Sequence, residues 1–573
     1  MNYPTFLKEI DRHLESIDLE SLRLFVHELA RTQPEVNRER FLDLLNQFSD
    51  YDERKQTKES QKTDTDRPSL SAKVSDMMDT LQSIIDGESK LDSEYNEEWD
   101  DWNDSEDEEF NFSDPDGLLE DLQDAFKLQH SCYDQGEYQD GARLADLLSS
   151  VEVQVSGDYG DSWDSSFDLG DLVARDLLSI NLSQATVEAA YLACMGNPEN
   201  SRVDAILNIL HNMCAQDVTL EKILQAGNAE INLNTFLPRW VEALGSQTGQ
   251  YNEALLKEAF EMLPDMDSKV KIAKQYAASH PALFQTLLES GKDTGKDQEY
   301  LSIATDALNL IPVNQTVRSS VALLAADYAL AIGEQSTAEK AWMEAFRSSP
   351  TVINYLRLRL LSKHWEDFSD AVSAICDQAS TPYSPYKEGI SPALLFYNGE
   401  FDKFQTRFMN VTKGIGWSST FMKQGLALFL LLFQSGSLDT SCMREMLTRA
   451  KDNANFTCSS FYAGTGQSSD REDTAEFQSI FLAWKSSVHI PDDLRESILA
   501  KIRNWLSVRV AAIMEANRRN YYGECAEYIA AYGEVLESNG EKGAKQAVLG
   551  QYQDEYSRRR AFIGDLRRFG LRG

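Results

Sequence analysis

The side chains of this chain that could do chemistry are its histidines, cysteines and acidic residues, and none stands in a catalytic pattern. The sequence contains no HExxH zinc motif, no G-x-S-x-G nucleophile elbow and no G-x-G-x-x-G dinucleotide loop. Its histidines have no metal-ligand spacing, and His130 and Cys132 lie close together without further ligands. We therefore predict no catalytic residues, no metal site and no cofactor, and expect that the protein is not an enzyme. The histidines occupy positions 13, 27, 130, 211, 280, 364 and 489.

Two segments resemble ligand loops but fail on spacing. The sequence ESGKDTGK at 289–296 has the wrong glycine spacing for a phosphate loop, lacks Ser or Thr after its last lysine and follows a predicted helix instead of a strand. The sequence DPDG at 114–117 follows part of the calcium-loop pattern. However, the first and last ligand positions then fall on Phe112 and Gln123, where that loop needs carboxylates. We interpret the first segment as a turn and expect no specific calcium site in the second.

The overall charge limits which kinds of molecule the protein is expected to bind. The chain has 573 residues, a net charge of −38 and a pI near 4.6. Such a field repels phosphate backbones and anionic lipids, so we expect no nucleic-acid partner. It attracts basic surfaces, so a protein partner, if one binds through charge, should be basic. At this length the chain forms several domains or one extended array.

Cysteine usage and hydropathy favour a cytoplasmic protein with no membrane role. The seven cysteines are widely spaced and include no CxxC pair, which suits a reducing compartment. The first residues form an amphipathic pattern containing acids, unlike a secretory leader. The longest apolar run, LALFLLLF at 426–433, is less than half as long as a membrane span. We predict that this run is a helix buried inside the protein.

Periodicity and composition divide the chain into six segments. Stripes of apolar residues at three- and four-residue steps indicate helices, whereas stretches rich in Pro, Gly, Ser and Thr indicate breaks. We predict a three-helix module at 1–50, a flexible linker at 51–71, a helix with an acidic aromatic segment at 72–117, a helical repeat array at 118–380, an irregular connection at 381–419 and a helical domain at 420–573.

The most biased segment is acidic and aromatic. Residues 91–126 hold sixteen acids and no Lys or Arg, so self-repulsion should keep much of the segment extended and partly disordered. The same segment carries Trp99, Trp102, Phe110 and Phe112, and exposing large aromatic side chains is costly. These four side chains either dock back on the protein's own helices, which we favour, or bind a partner. They are the candidate partner-binding residues.

A helical hairpin is the clearest motif in the chain. Four residues follow the pattern A-x3-aromatic-x2-A-x4-P, namely Ala338, Trp342, Ala345 and Pro350, and Gly333 precedes them by five residues. This spacing resembles the second half of a tetratricopeptide hairpin. We expect Trp342 to fill the gap left by the two small alanines. Ser336 and Glu339 also have capping-box spacing and are predicted to start the second helix.

Weaker copies of this hairpin extend the pattern. The segment 136–144 repeats its glycine–tyrosine turn, and Tyr300, Ala304, Ala307 and Pro312 repeat its helix. Val151, Val153 and Val155 alternate and give the only good strand signal. We predict an all-α fold: an irregular α-solenoid of tetratricopeptide-like hairpins with an acidic, partly disordered insert.

The C-terminal segment carries a second resemblance. The sequences RRNYYGECA, GEVLES and YSRRRAF occur within the last 55 or so residues. They resemble the tail of bacterial helical proteins related to SWIM zinc-finger proteins. The zinc motif of that group, CxC followed by CxH, is absent here, so no metal function carries over. The resemblance implies an α-helical fold and a bacterial context.

An arginine-rich stretch ends the chain. One acid, Asp565, stands against six arginines, at 558, 559, 560, 567, 568 and 572. On a basic protein such a cluster would suggest nucleic-acid binding. On this acidic chain we favour a structural role, either as a salt-bridged cap on acidic neighbours or as a contact to residues 91–126.

Three functions fit these features. The first is a non-catalytic cytoplasmic scaffold or adaptor that binds another protein in a helical-repeat groove. The second is an acidic decoy or regulator that docks a basic partner through residues 92–113. The third is an enzyme of an unrecognised type. We favour the first, because the repeat signature occurs together with a lack of catalytic motifs.

Overall fold

The computed structural model describes nine stretches of the chain, and they are mainly helical, as the all-α prediction requires. The contacts divide the chain into two compact units, Met1–Ser179 and Ile180–Gly573. The predicted module at 1–50, most of the predicted linker, and Trp99 and Trp102 lie outside the described residues. The described residues are 69–95, 110–157, 166–213, 215–227, 231–382, 385–386, 389–409, 421–462 and 468–572.

Helices of the first unit pack around a small core. Helices α1, α2 and α3 contact one another pairwise. The Ser69 hydroxyl accepts a hydrogen bond from the Ala72 amide and caps α1, so helix begins inside the stretch predicted as linker. Gly136 has φ +73° and ends α2, as the glycine–tyrosine turn predicts. The helices are α1 (Leu70–Ile85), α2 (Leu118–Gln135), α3 (Tyr138–Ser149) and α4 (Leu169–Ala174).

A four-stranded sheet completes the described part of this unit. Its order is β2-β1-β3-β4, with β1 antiparallel to β2 and parallel to β3, and β3 antiparallel to β4. Val153 and Val155 of the predicted strand lie in β3, which confirms the strand at these two residues, whereas Val151 precedes it. Residues 91–95 and 110–113 of the acidic segment form strands instead of the extended, partly disordered chain expected there, whereas residues 118–126 lie in α2. The strands are β1 (Leu91–Tyr95), β2 (Phe110–Ser113), β3 (Val153–Gly157) and β4 (Ser166–Phe167).

Alternation explains why an acidic segment forms a strand. In β1, Leu91 and Ser93 are buried, whereas Asp92 and Glu94 point to the exposed side. Because successive side chains of a strand point to opposite faces, the carboxylates stay in water while the other face packs on the protein. Gly157 has φ +82° where β3 passes β1, and a Cβ there would lie 2.2 Å from the Ser93 carbonyl oxygen. This close approach requires glycine.

The second unit begins with helices that pack mainly on their neighbours along the chain. From α5 to α14, the main contacts join each helix to the next helix or to the one after it. The turn between α11 and α12 contains the ESGKDTGK segment, which confirms its interpretation as a turn. The helices are α5 (Leu182–Gly196), α6 (Arg202–Asn212), α7 (Leu220–Gln225), α8 (Leu233–Gly245), α9 (Gln250–Glu261), α10 (Met266–Gln275), α11 (Ala282–Glu289), α12 (Asp297–Leu310), α13 (Val317–Ala331) and α14 (Gln335–Ser348).

Helices α13 and α14 form the predicted hairpin, and its tryptophan is buried. Trp342 is 5% exposed, and Ala338 and Ala345 are fully buried on the same face of α14. Gly333 has φ +81° in the turn between the helices. Pro350 follows the end of α14, where it cannot continue the helix. The prediction that an indole fills the space beside two small residues is confirmed.

Glu339 has a different role from the predicted capping box. Helix α14 begins at Gln335, and no side chain caps it. Burial alone would raise the pKa of Glu339, but hydrogen bonds from the Lys363 amide, Gln335, His364 and Ser362 lower it to about 2. The capping prediction is therefore wrong. The carboxylate instead binds the turn that follows the next helix, so it joins successive elements of the unit.

The predicted irregular connection at 381–419 contains two helices, so this prediction is wrong for its described residues. Proline and glycine around these helices suggested a break in the helical pattern. The two helices nevertheless form, because aromatic side chains at helical spacing pack them into the core. Phe396, Phe401 and Phe404 contact Phe429 with ring centroids 5.0–5.9 Å apart. Such rings dominate the energy of a core. The two helices are α17 (Pro392–Tyr397) and α18 (Phe401–Phe408), and the helices before them are α15 (Val352–Leu361) and α16 (Ser369–Ala379).

A helical bundle forms the rest of the second unit. The apolar run at 426–433 is buried, as predicted, and α24 packs against α19, α20, α23, α25 and α26. The bundle also returns to the earlier helices, because α21 and α22 contact α15. The helices are α19 (Ala427–Phe433), α20 (Ser441–Asn453), α21 (Cys458–Tyr462), α22 (Asp470–Ser486), α23 (Asp492–Glu515), α24 (Tyr522–Ser538), α25 (Ala544–Glu555) and α26 (Arg560–Arg568).

Acidic residues of α24 pair with a cation from each of three neighbouring helices. Glu524 binds Arg509 of α23 at 3.2 Å, and Glu527 binds Arg449 of α20 at 2.7 Å. Glu534 binds Lys545 of α25 at 2.6 Å. Buried pairs of this kind are costly to break because each leaves an uncompensated charge. They specify which helix lies beside each part of α24.

The arginine-rich end is not the predicted salt-bridged cap. Among the described residues, none of the six arginines forms an ion pair. Arg559 instead donates hydrogen bonds to the Met514 carbonyl oxygen at 2.9 Å and to Asn517 at 2.7 Å, where α23 ends. A cation at a helix C-terminus binds carbonyl groups that lack partners. The other five arginines are exposed.

We expect Trp342→Ala to lower the free energy of unfolding by about 3–5 kcal/mol, because it leaves a cavity between α13 and α14. Leu482→Ala is the control, since Leu482 is 43% exposed and its truncation should cost far less. Denaturant unfolding followed by circular dichroism measures both. Equal losses for the two variants would contradict the packing described for Trp342.

Candidate functional site

The face of α13 formed by Leu323, Asp327 and Leu330 is our candidate site, and we call it the α13 face. Steps of four and three residues place these side chains on one side of the helix. Leu323 and Asp327 are half-buried, and Leu330 is 42% exposed. The opposite side of α13 packs in the hairpin with α14. A carboxylate thus lies between two leucines that the fold leaves partly uncovered.

Asp327 is poorly compensated in this position. Among the described residues its carboxylate accepts no hydrogen bond and forms no ion pair. Burial raises the pKa of Asp327 to about 6, although the positive charges of Lys292 and Arg357 act to lower it. A carboxylate whose pKa is raised by burial is destabilised in its charged form. Groups of this kind cluster at functional sites.

Arg357 of α15 is the nearby cation, and its guanidinium is already engaged. It is 2% exposed. Its Nε donates to the Phe461 carbonyl oxygen at 2.8 Å, its Nη2 donates to the Ser460 carbonyl oxygen, and its Nη1 donates to Asn354 Oδ1 at 2.5 Å. The guanidinium also lies 5.9 Å from the centroid of the Phe461 ring. Arg357 therefore holds α21 against α15.

The arginine belongs to a buried polar chain. Asn354 Nδ2 donates to Ser319 Oγ of α13 at 3.2 Å and to the Ser349 carbonyl oxygen at 2.8 Å. The chain runs from α13 through Asn354 and Arg357 to the backbone of α21. Burial lowers the pKa of Arg357 to about 10, while Asp327 acts to raise it. At neutral pH the guanidinium stays charged, and its donors remain fixed on these acceptors.

The described cysteines are not poised for catalysis or for metal binding. Burial raises the pKa of Cys132 and Cys194 to about 11, and that of Cys442 and Cys525 to about 12. A thiol with so high a pKa holds its proton at neutral pH, whereas the thiolate is the nucleophile and the metal ligand. In the described stretches, no group of three or more His, Cys, Asp or Glu side chains is placed to hold a metal ion.

Two cavities among the described residues lack the groups that a catalytic site needs. An open groove of about 430 Å³ lies between α1 and α2, and Lys127 within it pairs with Asp124 at 2.7 Å. A cavity of about 10 Å³ lies beside Tyr397 and the π-helical turn Met422–Leu426, and it has room for about one water molecule. Neither places a nucleophile beside a general base. No described helix has the length and apolar character needed to cross a membrane.

Of the four predicted partner-binding aromatics, the structure describes two, and both are half-buried in β2. The Phe112 ring meets Phe167 of β4 edge to face, with centroids 5.2 Å apart. The Arg175 guanidinium lies 4.6 Å from the centroid of Phe167 and 6.0 Å from that of Phe112. Phe112 thus docks within the protein, but on a strand and on Arg175 instead of on the helices that we favoured. Asp114 accepts hydrogen bonds from the Leu118 and Leu119 amides, so it caps α2.

Sequence reasoning missed both Asp327 and Arg357. Asp327 lies in a run of apolar residues, VALLAADYALA, and one acid inside such a run is a signal of a constrained carboxylate. Arg357 lies in the run VINYLRLRLL, and the same signal applies. The sequence alone does not show whether the fold buries each of these two charged side chains or pairs it, because the surrounding residues lie on other helices.

Comparisons with known proteins leave the family of this chain open. No protein-family model matches the chain, and no curated protein matches it. The resemblance of the C-terminal segment to the tail of SWIM-related helical proteins therefore stays a prediction. The function must be inferred from the geometry and charge of the described residues.

We expect Asp327→Asn to raise the free energy of unfolding at pH 7 by about 1–3 kcal/mol. The folded-state pKa, about 6, exceeds the ordinary value of 3.8, so stability falls as pH rises through this interval and the amide avoids that loss. Thermal unfolding at pH 7 and at pH 4 measures it, and the gain should shrink at the lower pH. Asp370→Asn, at an exposed position in α16, is the control. A destabilised Asp327→Asn protein would contradict the argument.

We expect Arg357→Met to release α21 from α15. Hydrogen bonds from a charged donor contribute about 1.5–3 kcal/mol each, so amide hydrogen exchange at 457–462 should rise by a factor of about ten or more. Arg359→Met is the matched control, because Arg359 lies on the same helix and its guanidinium stacks on the Trp365 ring at 4.7 Å. Unchanged exchange at 457–462 in the Arg357 variant would show that other contacts hold α21.

Proposed function

We propose that this protein is a non-catalytic cytoplasmic scaffold or adaptor that binds a segment of another protein on the α13 face. The observation that carries the proposal is the half-buried carboxylate of Asp327 between two partly uncovered leucines. Natural proteins retain a destabilising arrangement of this kind where function needs it. The proposal also takes the helices from α5 to α15 as an irregular solenoid of tetratricopeptide-like hairpins.

The local packing supports the solenoid part of the proposal. From α5 to α14 the main contacts run between helices that are one or two positions apart. In a solenoid each repeat contacts only its neighbours, and helices at equivalent positions line one extended binding surface. Under this arrangement α11, α13 and α15 are equivalent. Asp327 then lies on the middle one of these three helices, with Lys292 in the turn after α11 and the buried Arg357 on α15.

The chemistry of the described residues supports a binding role over catalysis. Binding surfaces need a few polar groups among apolar ones, as on the α13 face. Catalysis needs a nucleophile or a base with a partner that orients it, and we identify no such constellation among the described residues. The six described cysteines are free, which agrees with a reducing cytoplasm.

The acidic-regulator alternative receives less support from the described chain. It requires the aromatic residues between 92 and 113 to be available to a basic partner. Phe110 and Phe112 are half-buried in a strand, and Phe112 packs on Phe167. Two of the four aromatics are thus engaged within the first unit, so we place the binding surface on the second unit.

Selection of a displayed random 12-residue peptide library on the full chain tests the proposal. We expect peptides that bind the wild-type protein and lose binding to Leu330→Glu, because a charge replaces the most exposed leucine of the α13 face. Leu482→Glu is the control, since Leu482 is 43% exposed on another helix, α22. Isothermal titration calorimetry of synthesised peptides measures the binding. Peptides that bind the Leu330→Glu protein unchanged would place the site elsewhere.

A further inference from the structure

The partner chemistry follows from how the second unit treats its other buried charges. Arg318 pairs with Glu344 at 2.6 Å, and Glu339 receives several hydrogen bonds. Glu524 and Glu527 are paired within the bundle. Asp327 differs, since its carboxylate has no hydrogen bond and no ion pair among the described residues. A charged group that is unpaired and partly desolvated is stabilised most by a partner that brings the opposite charge.

The nearby cations do not supply that pair. Three donors of Arg357 bind Phe461, Ser460 and Asn354, which fixes the guanidinium against α21. Lys292 forms no ion pair with Asp327 in the described chain, although its charge acts on the carboxylate. The electrostatic field at Asp327 is thus incompletely balanced from within the protein.

The leucines beside Asp327 define the shape of the missing group. Leu323 lies four residues before the carboxylate and Leu330 three residues after it, so both flank it on one face of α13. Lysine and arginine carry a charged head on an aliphatic stem, and the stem packs on apolar surface. A cationic side chain therefore fits a carboxylate set between leucines better than a small cation does. The net charge of −38 attracts a basic segment and repels an acidic one.

We propose that the α13 face binds a peptide segment carrying a lysine or arginine, whose charged head pairs with Asp327 while its stem and an adjacent apolar residue pack on Leu323 and Leu330. This inference rests on the proposed function, because it names the partner chemistry of the same face. The cation sets the register of the peptide, and the leucines supply apolar contact.

The peptides selected on the full chain provide the test. We expect a lysine or arginine at one fixed position next to an apolar residue. For a synthesised peptide of this kind, Asp327→Asn should weaken binding about tenfold or more, because it removes the charge of a partly desolvated pair. Asp370→Asn is the control and should leave affinity unchanged, since Asp370 is exposed on α16.

A double-mutant cycle assigns the pair. Replacing the basic residue of the peptide by norleucine should weaken binding to the wild-type protein about tenfold, and should have little further effect on the Asp327→Asn protein. Thermal unfolding checks that each variant is folded. Equal effects of norleucine on both proteins would overturn the assignment to Asp327.

The remaining outcomes separate this inference from the proposed function. Peptides that depend on Leu330 but lack a basic residue, or that tolerate Asp327→Asn, overturn the inference and leave the binding face in place. Enriched acidic peptides also overturn it. If no selected peptide distinguishes Leu330→Glu from Leu482→Glu, the proposed function fails, and the inference fails with it.

Discussion

The second unit depends on a buried guanidinium that joins its two halves. Arg357 lies on α15, where neighbour-to-neighbour packing gives way to contacts with helices about a hundred residues later in the chain. Its donors bind the backbone of α21 on one side and Asn354 on the other. Asn354 in turn binds Ser319 of α13. Because a buried charge is costly without partners, this chain of hydrogen bonds fixes the bundle against the last helices of the stack.

Charge has the same organising role inside the bundle. Helix α24 is buried on most of its sides, so apolar packing alone would leave its rotation weakly specified. Glu524, Glu527 and Glu534 each meet a cation on a different neighbouring helix. A wrong rotation of α24 would leave buried charges unpaired, which is strongly destabilising. The acids of an acidic protein are therefore partly structural here.

Asp327 stands apart from this scheme. The fold pairs the other buried charges described above, yet it leaves this carboxylate between two leucines with only distant cations. That arrangement lowers the stability of the free protein and favours any partner that supplies a positive charge with an apolar stem. The unpaired carboxylate of Asp327 thus destabilises the free protein and, for the same reason, contributes to the free energy of binding a cationic partner.

The sequence by itself determined the elements whose information is local. Period and small residues predicted the α13–α14 hairpin with its buried Trp342, the apolar run predicted a buried helix, and alternating valines predicted β3.

Tertiary structure decided what depends on distant partners. The acids of β1 suggested a solvated coil, but β1 pairs with β2 on one edge and with β3, from later in the chain, on the other. Glu339 binds the turn after the next helix and does not cap α14, and Arg559 binds a backbone carbonyl group at the end of α23 instead of an acid. Asp327 and Arg357 were missed because their surroundings are made by other helices, and burial and pairing are properties of those surroundings and not of the residue itself.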